Sequence, residues 1–187
     1  MRKQALTAAL QAYAAIDLRD AVYVACPVSS GRRELDLMAA LSLFDRDQLR
    51  YQHARRWQRD VLQPNKLAAA AATEAARGRH RGRSVINPSE FELDGLTQPD
   101  YDMLCADIIR HHVRYFVLAD GWQFSRGARL ETVLALDLKL NIEDNSGALL
   151  NAGQIMDSMA QASSDLIRAG FSDELVAALL PRLTPVG

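Results

Sequence analysis

Ser29-Ser30-Gly31-Arg32 sets two hydroxyls, a glycine and a guanidinium side by side. A phosphate group suits such a set, because its oxygens accept from backbone N–H groups at a helix start, from small hydroxyls and from a guanidinium through two bonds. The spacing matches no P-loop, and the chain has no Gly-x-Gly-x-x-Gly, so the fingerprints of nucleoside triphosphate and dinucleotide sites are absent. An ordinary strand-to-helix turn has the same composition, so the tetrad alone leaves both readings open. Glu131 is the second candidate. It falls in the first turns of a helical pattern, where the partial positive charge of a helix N-terminus favours the ionised carboxylate that a nucleophile needs at neutral pH. A solvent-facing glutamate fits the same position.

Cysteines and histidines point elsewhere. Cys26, Cys105, His53, His80, His111 and His112 form no Cys-x-x-Cys or His-x-x-x-His pair, so neither a metal nor another cofactor is expected. Cys105 lies in an apolar-patterned helix and reads as a small buried hydrophobe; His111-His112 read as caps for that helix's last carbonyls.

The elements that must hold these residues follow from periodicity. Leu6, Leu10, Tyr13 and Ala14 recur at helical spacing. Ala21 to Ala25 is a continuous apolar run, a buried strand that opens into the polar turn from Cys26 to Arg33; helical spacing resumes through Leu35, Met38 and Leu41. Ser84 to Pro88 reads as a second strand ended by its proline, Val113 to Ala119 as the strongest strand, and Leu138 to Ile142 as a fourth. Helices are expected around Leu104 to Ile109, from Ala128 to Leu136, and beyond Asp144 with breaks at Gly153 and Gly170. Strand, loop and helix in this order define an α/β fold: a Rossmann-like or flavodoxin-like parallel sheet of four to five strands flanked by helices, with extra C-terminal helices. The whole chain, 1–187, reads as one domain, with 45–83 an insertion or extended helical segment and 145–187 a helical tail. Within 45–83 the string Arg77-Gly78-Arg79-His80-Arg81-Gly82-Arg83 could grip phosphate but has the character of a solvated loop.

Composition narrows the partners. The formal net charge is −1, whereas a nucleic-acid binder is normally strongly basic, so a nucleic-acid partner is disfavoured and a small molecule preferred. No apolar run approaches a membrane span, and residues 1–18 lack the apolar core of a signal peptide, so no membrane association and a cytoplasmic location are expected.

Two segments resemble a known family. Val22-Tyr23-Val24-Ala25-Cys26-Pro27-Val28-Ser29-Ser30-Gly31-Arg32-Arg33 is similar to the opening strand and loop of the nucleoside 2-deoxyribosyltransferase superfamily. Val85-Ile86-Asn87-Pro88, with Val117 through Glu131, resembles its second strand and the small-residue loop that enters the catalytic helix. The Gly-Trp-x-x-Ser-x-Gly-Ala-x-x-Glu form (Gly121 to Glu131) looks closest to bacterial and phage relatives of the deoxynucleoside 5′-monophosphate N-glycosidase branch. Cys26 stands where that family often has glycine, and Arg114 where its third strand commonly begins with aspartate.

The resemblance implies that Glu131 attacks the anomeric carbon of a ribosyl or deoxyribosyl group, whose oxocarbenium character a close carboxylate stabilises or traps. It implies roles for Tyr23 beside the nucleophile, for Ser29, Ser30, Gly31, Arg32 and Ser125 around a 5′-phosphate, and for Asp120, Gly121, Trp122 and Gly127 in the second loop. Trp122 either stacks on a base or wedges its loop. Asp107, with Asp102 as the other choice, would contact the sugar or base and manage the leaving-group proton. Hydrolysis is preferred over base exchange because of the phosphate-suited residues. A homodimer or larger homo-oligomer is implied as well. The alternative is a non-catalytic nucleotide sensor or interaction module on the same fold.

Overall fold

The computed structural model describes residues 18, 20–91 and 96–180, so the helix expected before Leu18 lies outside the described residues. Four strands, β1 (Ala21–Ala25), β2 (Val85–Ile86), β3 (Val113–Leu118) and β4 (Asn141–Asp144), form one sheet in the order β2-β1-β3-β4. All three pairings are parallel, with Tyr23 opposite Ile86 on one side and opposite Phe116 on the other. The helices are α1 (Arg32–Ala40), α2 (Arg46–Gln52), α3 (Ala54–Trp57), α4 (Gln63–Arg79), α5 (Gln98–His112), α6 (Arg126–Asp137), α7 (Ala152–Arg168) and α8 (Asp173–Leu179). A π-helical turn, Gln58–Leu62, joins α3 to α4. The architecture is Rossmann-like, with a parallel sheet between helical layers.

Alternation along β1 sends its side chains to two cores. Tyr23 and Ala25 join Leu104, Ile108 and Ile109 of α5, Ala128 and Ala135 of α6, and Ile155 and Met159 of α7. Val22 and Val24 join Ala69, Ala72 and Ala76 of α4. Those alanines have almost no side-chain entropy to lose and let the helix lie close on the sheet. The tail docks through Leu166, Phe171 and Val176 against Leu35 of α1 and Phe124.

Several boundaries depart from the periodicity. The second strand is cut to Val85–Ile86 because Asn87 turns out of it: its side chain accepts from the Ser89 N–H at 2.9 Å and starts a 3-10 turn, Pro88–Glu90. The fourth strand lies at Asn141–Asp144 rather than from Leu138, since α6 runs on to Asp137 and Lys139 leaves it at φ 54. Gly153 does not break the tail helix; it lies inside the Asn151–Gln154 capping box in the first turn of α7, and Gly170, at φ 94, ends it.

The arginine string is not a free loop. Its first half closes α4, and Arg79 and His80 converge on the buried Glu143 of β4, at 3.0 and 2.9 Å. Arg83 lies 4.7 Å over the Tyr115 ring. These contacts tie α4 to the far edge of the sheet. Among the described residues no helix is long and apolar enough to cross a membrane.

Candidate active site

Because β2 and β3 flank β1 on opposite sides, the connections leaving β1 and β3 part at the carboxyl edge of the sheet and leave a crevice, the usual ligand position in open parallel sheets. Residues 26–31 and 119–125 form its two walls. The Ala119 N–H donates to the Ala25 carbonyl at 3.0 Å, carrying the β1–β3 pairing to the rim. Beyond it the Ser30 and Ser125 hydroxyls are 3.0 Å apart. Two segments distant in sequence thus meet through the serines expected to hold an anion. Ser125 is buried and caps α6, accepting from the Ala128 N–H, a contact worth about 1 kcal/mol in such helices.

Each wall has its own construction. Gly31 sits at φ 100, and a Cβ there would lie 2.7 Å from the Pro27 Cβ, so the turn into α1 requires glycine. Arg32 is exposed, donating to Asp36 at 2.7 Å, with its guanidinium 5.4 Å from the Phe124 ring centre. On the other wall, Gly121 is left-handed at φ 79 and Asp120 accepts from Asn145 at 3.2 Å. Gly127 faces open space. Trp122 is buried in the main core, which makes it the wedge of its loop. A cleft of about 530 Å³ runs along this wall between Leu118–Gln123 and Asp144–Ser146.

Glu131 lies in the second turn of α6, and the Tyr23 hydroxyl donates to its Oε1 at 2.8 Å. Tyr23 is fully buried, stacked on Phe116 at 5.5 Å between ring centres, so the phenol is held in place. The expected influence of the helix N-terminus does not govern the carboxyl. Glu131 is past the first turn, and its pKa is raised to about 7, chiefly by burial and further by the Asp102 charge, against the hydrogen bonds from Tyr23 and Cys105. A carboxyl at that value can be ionised or protonated within the physiological range. The same burial, with the Glu131 charge, raises the Tyr23 pKa.

Of the two aspartates weighed on α5, Asp102 and not Asp107 is the one whose charge reaches Glu131. Helix periodicity explains this, since Asp102 shares a face with Cys105, whereas Asp107 points nearly the other way. The Asp107 carboxylate is 3.3 Å from His111, on the exposed side. His111 Nδ1 also donates to the Asp107 carbonyl at 2.9 Å, one turn back within the helix rather than to the last carbonyls it was expected to cap.

Other neighbours had no readable signal. Cys105 is buried as expected, yet it touches Tyr23 and Glu131. Cys26 lies 3.7 Å from Asn87 Oδ1, its thiol pKa pushed up by burial and by the Glu131 and Glu90 charges. Asn65 and Arg50 bond to the first wall from behind. Only the pairing of sequence-distant segments reveals any of them. Among the described residues no three His, Cys, Asp or Glu side chains gather as a metal site.

The fold defines a Rossmann-like protein in which a half-buried, phenol-backed carboxylate lies on the helix that Ser125 of the two-serine rim caps. Residues 62–144, less than half of the chain, match the family described as Domain of unknown function (DUF4406). The match runs from the π-helical turn through α4, β2, α5, β3 and α6 to the end of β4, and so includes Ser125 and Glu131. Comparison with curated proteins and with solved structures gives no match.

Proposed function

We propose that the protein cleaves the N-glycosidic bond of a nucleoside or deoxynucleoside 5′-monophosphate, with Glu131 as nucleophile and water as acceptor. The observation that carries this reading is the Tyr23–Glu131 hydrogen bond on the helix whose N-cap, Ser125, meets Ser30 of the turn after β1. Ionised Glu131 attacks C1′ as the bond to the base nitrogen breaks. The electron pair leaves with the base, which takes a proton from solvent as it departs; water then attacks C1′, gives its proton back to solvent, releases the sugar phosphate and frees Glu131. Tyr23 stabilises the carboxylate before attack and again when the ester breaks. Ser29, Ser30, Gly31, Arg32 and Ser125 are the groups suited to a 5′-phosphoryl anchor, which would fix the sugar relative to the carboxylate. The resemblance to nucleoside 2-deoxyribosyltransferases supports the same chemistry, and homo-oligomerisation belongs to that reading too.

The test is base release from each common ribo- and deoxyribonucleoside 5′-monophosphate, with and without a second base. Free base without an acceptor is the expected result. Release only when an acceptor is supplied would make it a base-exchange transferase. Binding without release from any nucleotide would replace the enzyme reading with a nucleotide-binding module.

A further inference from the structure

Residues 45–79 contribute no group to the proposed reaction, yet side chains from them hold the turn after β1. Asn65, on α4 and 3% exposed, donates through Nδ2 to the Val28 carbonyl at 3.0 Å and to the Ser30 carbonyl at 2.8 Å. Arg33 Nη1 donates to Asn65 Oδ1 at 3.0 Å. A guanidinium can only donate, so this bond fixes which end of the amide faces the carbonyls. Between those two carbonyls, Ser29 accepts from Arg50 Nη2 of α2 at 3.1 Å. Arg50 is held in turn by the buried Glu34 at 3.0 Å.

Three consecutive carbonyls are therefore drawn toward side chains of the helical segment. In a trans peptide unit the C=O and the following N–H point in opposite directions, and the described chain contains no cis bond. Drawing back the carbonyls of Val28, Ser29 and Ser30 thus presents the N–H groups of Ser29, Ser30 and Gly31 on the other side. Successive N–H groups turned one way make a concavity for an anion.

We propose that Asn65 is a positioning residue for the phosphoryl end of the substrate. It touches no substrate atom; by holding the Val28–Ser30 turn it sets the preference for a 5′-monophosphate over the corresponding nucleoside. This rests on the phosphate anchor of the proposed function.

The test uses the full chain and the variants Asn65→Ala and Asn65→Asp. Binding of inorganic phosphate, of the common deoxynucleoside 5′-monophosphates and of the matching nucleosides is measured, together with base-release kinetics. Asn65→Ala should raise KM for the monophosphate roughly tenfold or more, leaving kcat and nucleoside binding within about twofold. Asn65→Asp should be worse, because it sets an acceptor against two carbonyl oxygens. The amide resonances of Ser29 to Gly31 should respond to phosphate in the parent and lose that response in the variants. A parent that prefers the monophosphate, with an Asn65→Ala variant that prefers it equally, overturns the positioning role and leaves the proposed reaction standing. Equal weakening of both ligands also overturns it, by reducing Asn65 to a general brace. A parent indifferent to the phosphate overturns the anchor itself, and this inference with it. Should both Asn65 variants fail to fold, Arg33→Ala frees the amide to rotate while leaving it in place. A partial loss of monophosphate preference then supports the role, and full retention overturns it.

Discussion

Glu34 and Glu131 both lie near the start of a helix that leaves the carboxyl edge of the sheet, the first fully buried and the second half-buried, and their surroundings differ. Glu34 is fully buried between two guanidinium groups, Arg46 Nε at 2.9 Å and Arg50 Nη2 at 3.0 Å. Glu131 instead faces a phenol, a thiol and, further off, another carboxylate, and its pKa is raised to about 7. Cations around a buried carboxylate balance its charge and make it a structural joint. Neutral donors leave it able to exchange a proton and to attack. Burial alone does not mark a reactive carboxylate; the partners decide.

The largest expected effect separates the two sites by activity. Glu131→Gln should lower kcat for base release by about a thousandfold or more while ligand binding persists; unchanged turnover would remove Glu131 from the chemistry. The same variant should alter stability in a pH-dependent way. The folded pKa of Glu131 is above its ordinary 4.5, so as pH rises from about 4.5 to about 7 the unfolded chain releases this proton first and the parent loses stability. Glu131→Gln has no such proton, and its stability relative to the parent should therefore increase across that window in urea melts at each pH.

Glu34→Ala should act on the fold. Leaving Arg46 and Arg50 partly buried without their partner is expected to cost roughly 3 kcal/mol in urea unfolding. A loss below about 1 kcal/mol would mean that solvent replaces the pair.

Tyr23→Phe should keep the stack on Phe116 and remove the phenol's contact with Cys105 together with its bond to Glu131, a bond that lowers the carboxyl's pKa. The acid limb of kcat/KM should move to higher pH, with a loss of roughly fivefold to tenfold at pH 7 that recovers in alkaline buffer. A limb that stays in place would detach the phenol from the titration. The smallest effect compares the two aspartates of α5. Asp102→Asn should move that limb slightly toward lower pH, by relieving a like charge, while Asp107→Asn leaves it unmoved; the reverse pattern would restore Asp107 to the site.

The sequence made some of this plain. Ala21 to Ala25 and Phe116 to Ala119 are continuous apolar runs because those stretches are covered on both faces, and such runs are legible without partners. Ser30 and Ser125 could be paired only through the family resemblance, since nothing local brings residue 30 to residue 125. Asn65 and Arg50 had no signal, because their bonds reach backbone carbonyls, which every residue type carries alike. The raised pKa of Glu131 was likewise hidden: helix position suggested the opposite direction, and only the enclosure formed with Tyr23 and Cys105 reverses it.

Both cysteines have a practical use as they stand. Cys26 and Cys105 are buried, and burial pushes both thiols far from ionisation, whereas alkylating reagents capture the thiolate. Native protein should thus be almost inert to such reagents, and whatever labelling occurs counts openings of the β1–α5 seam at Cys105 and of the face covered by α4 at Cys26. Mass spectrometry of the slowly modified chain would time the breathing of the molecule around its carboxylate, with no probe added to the sequence.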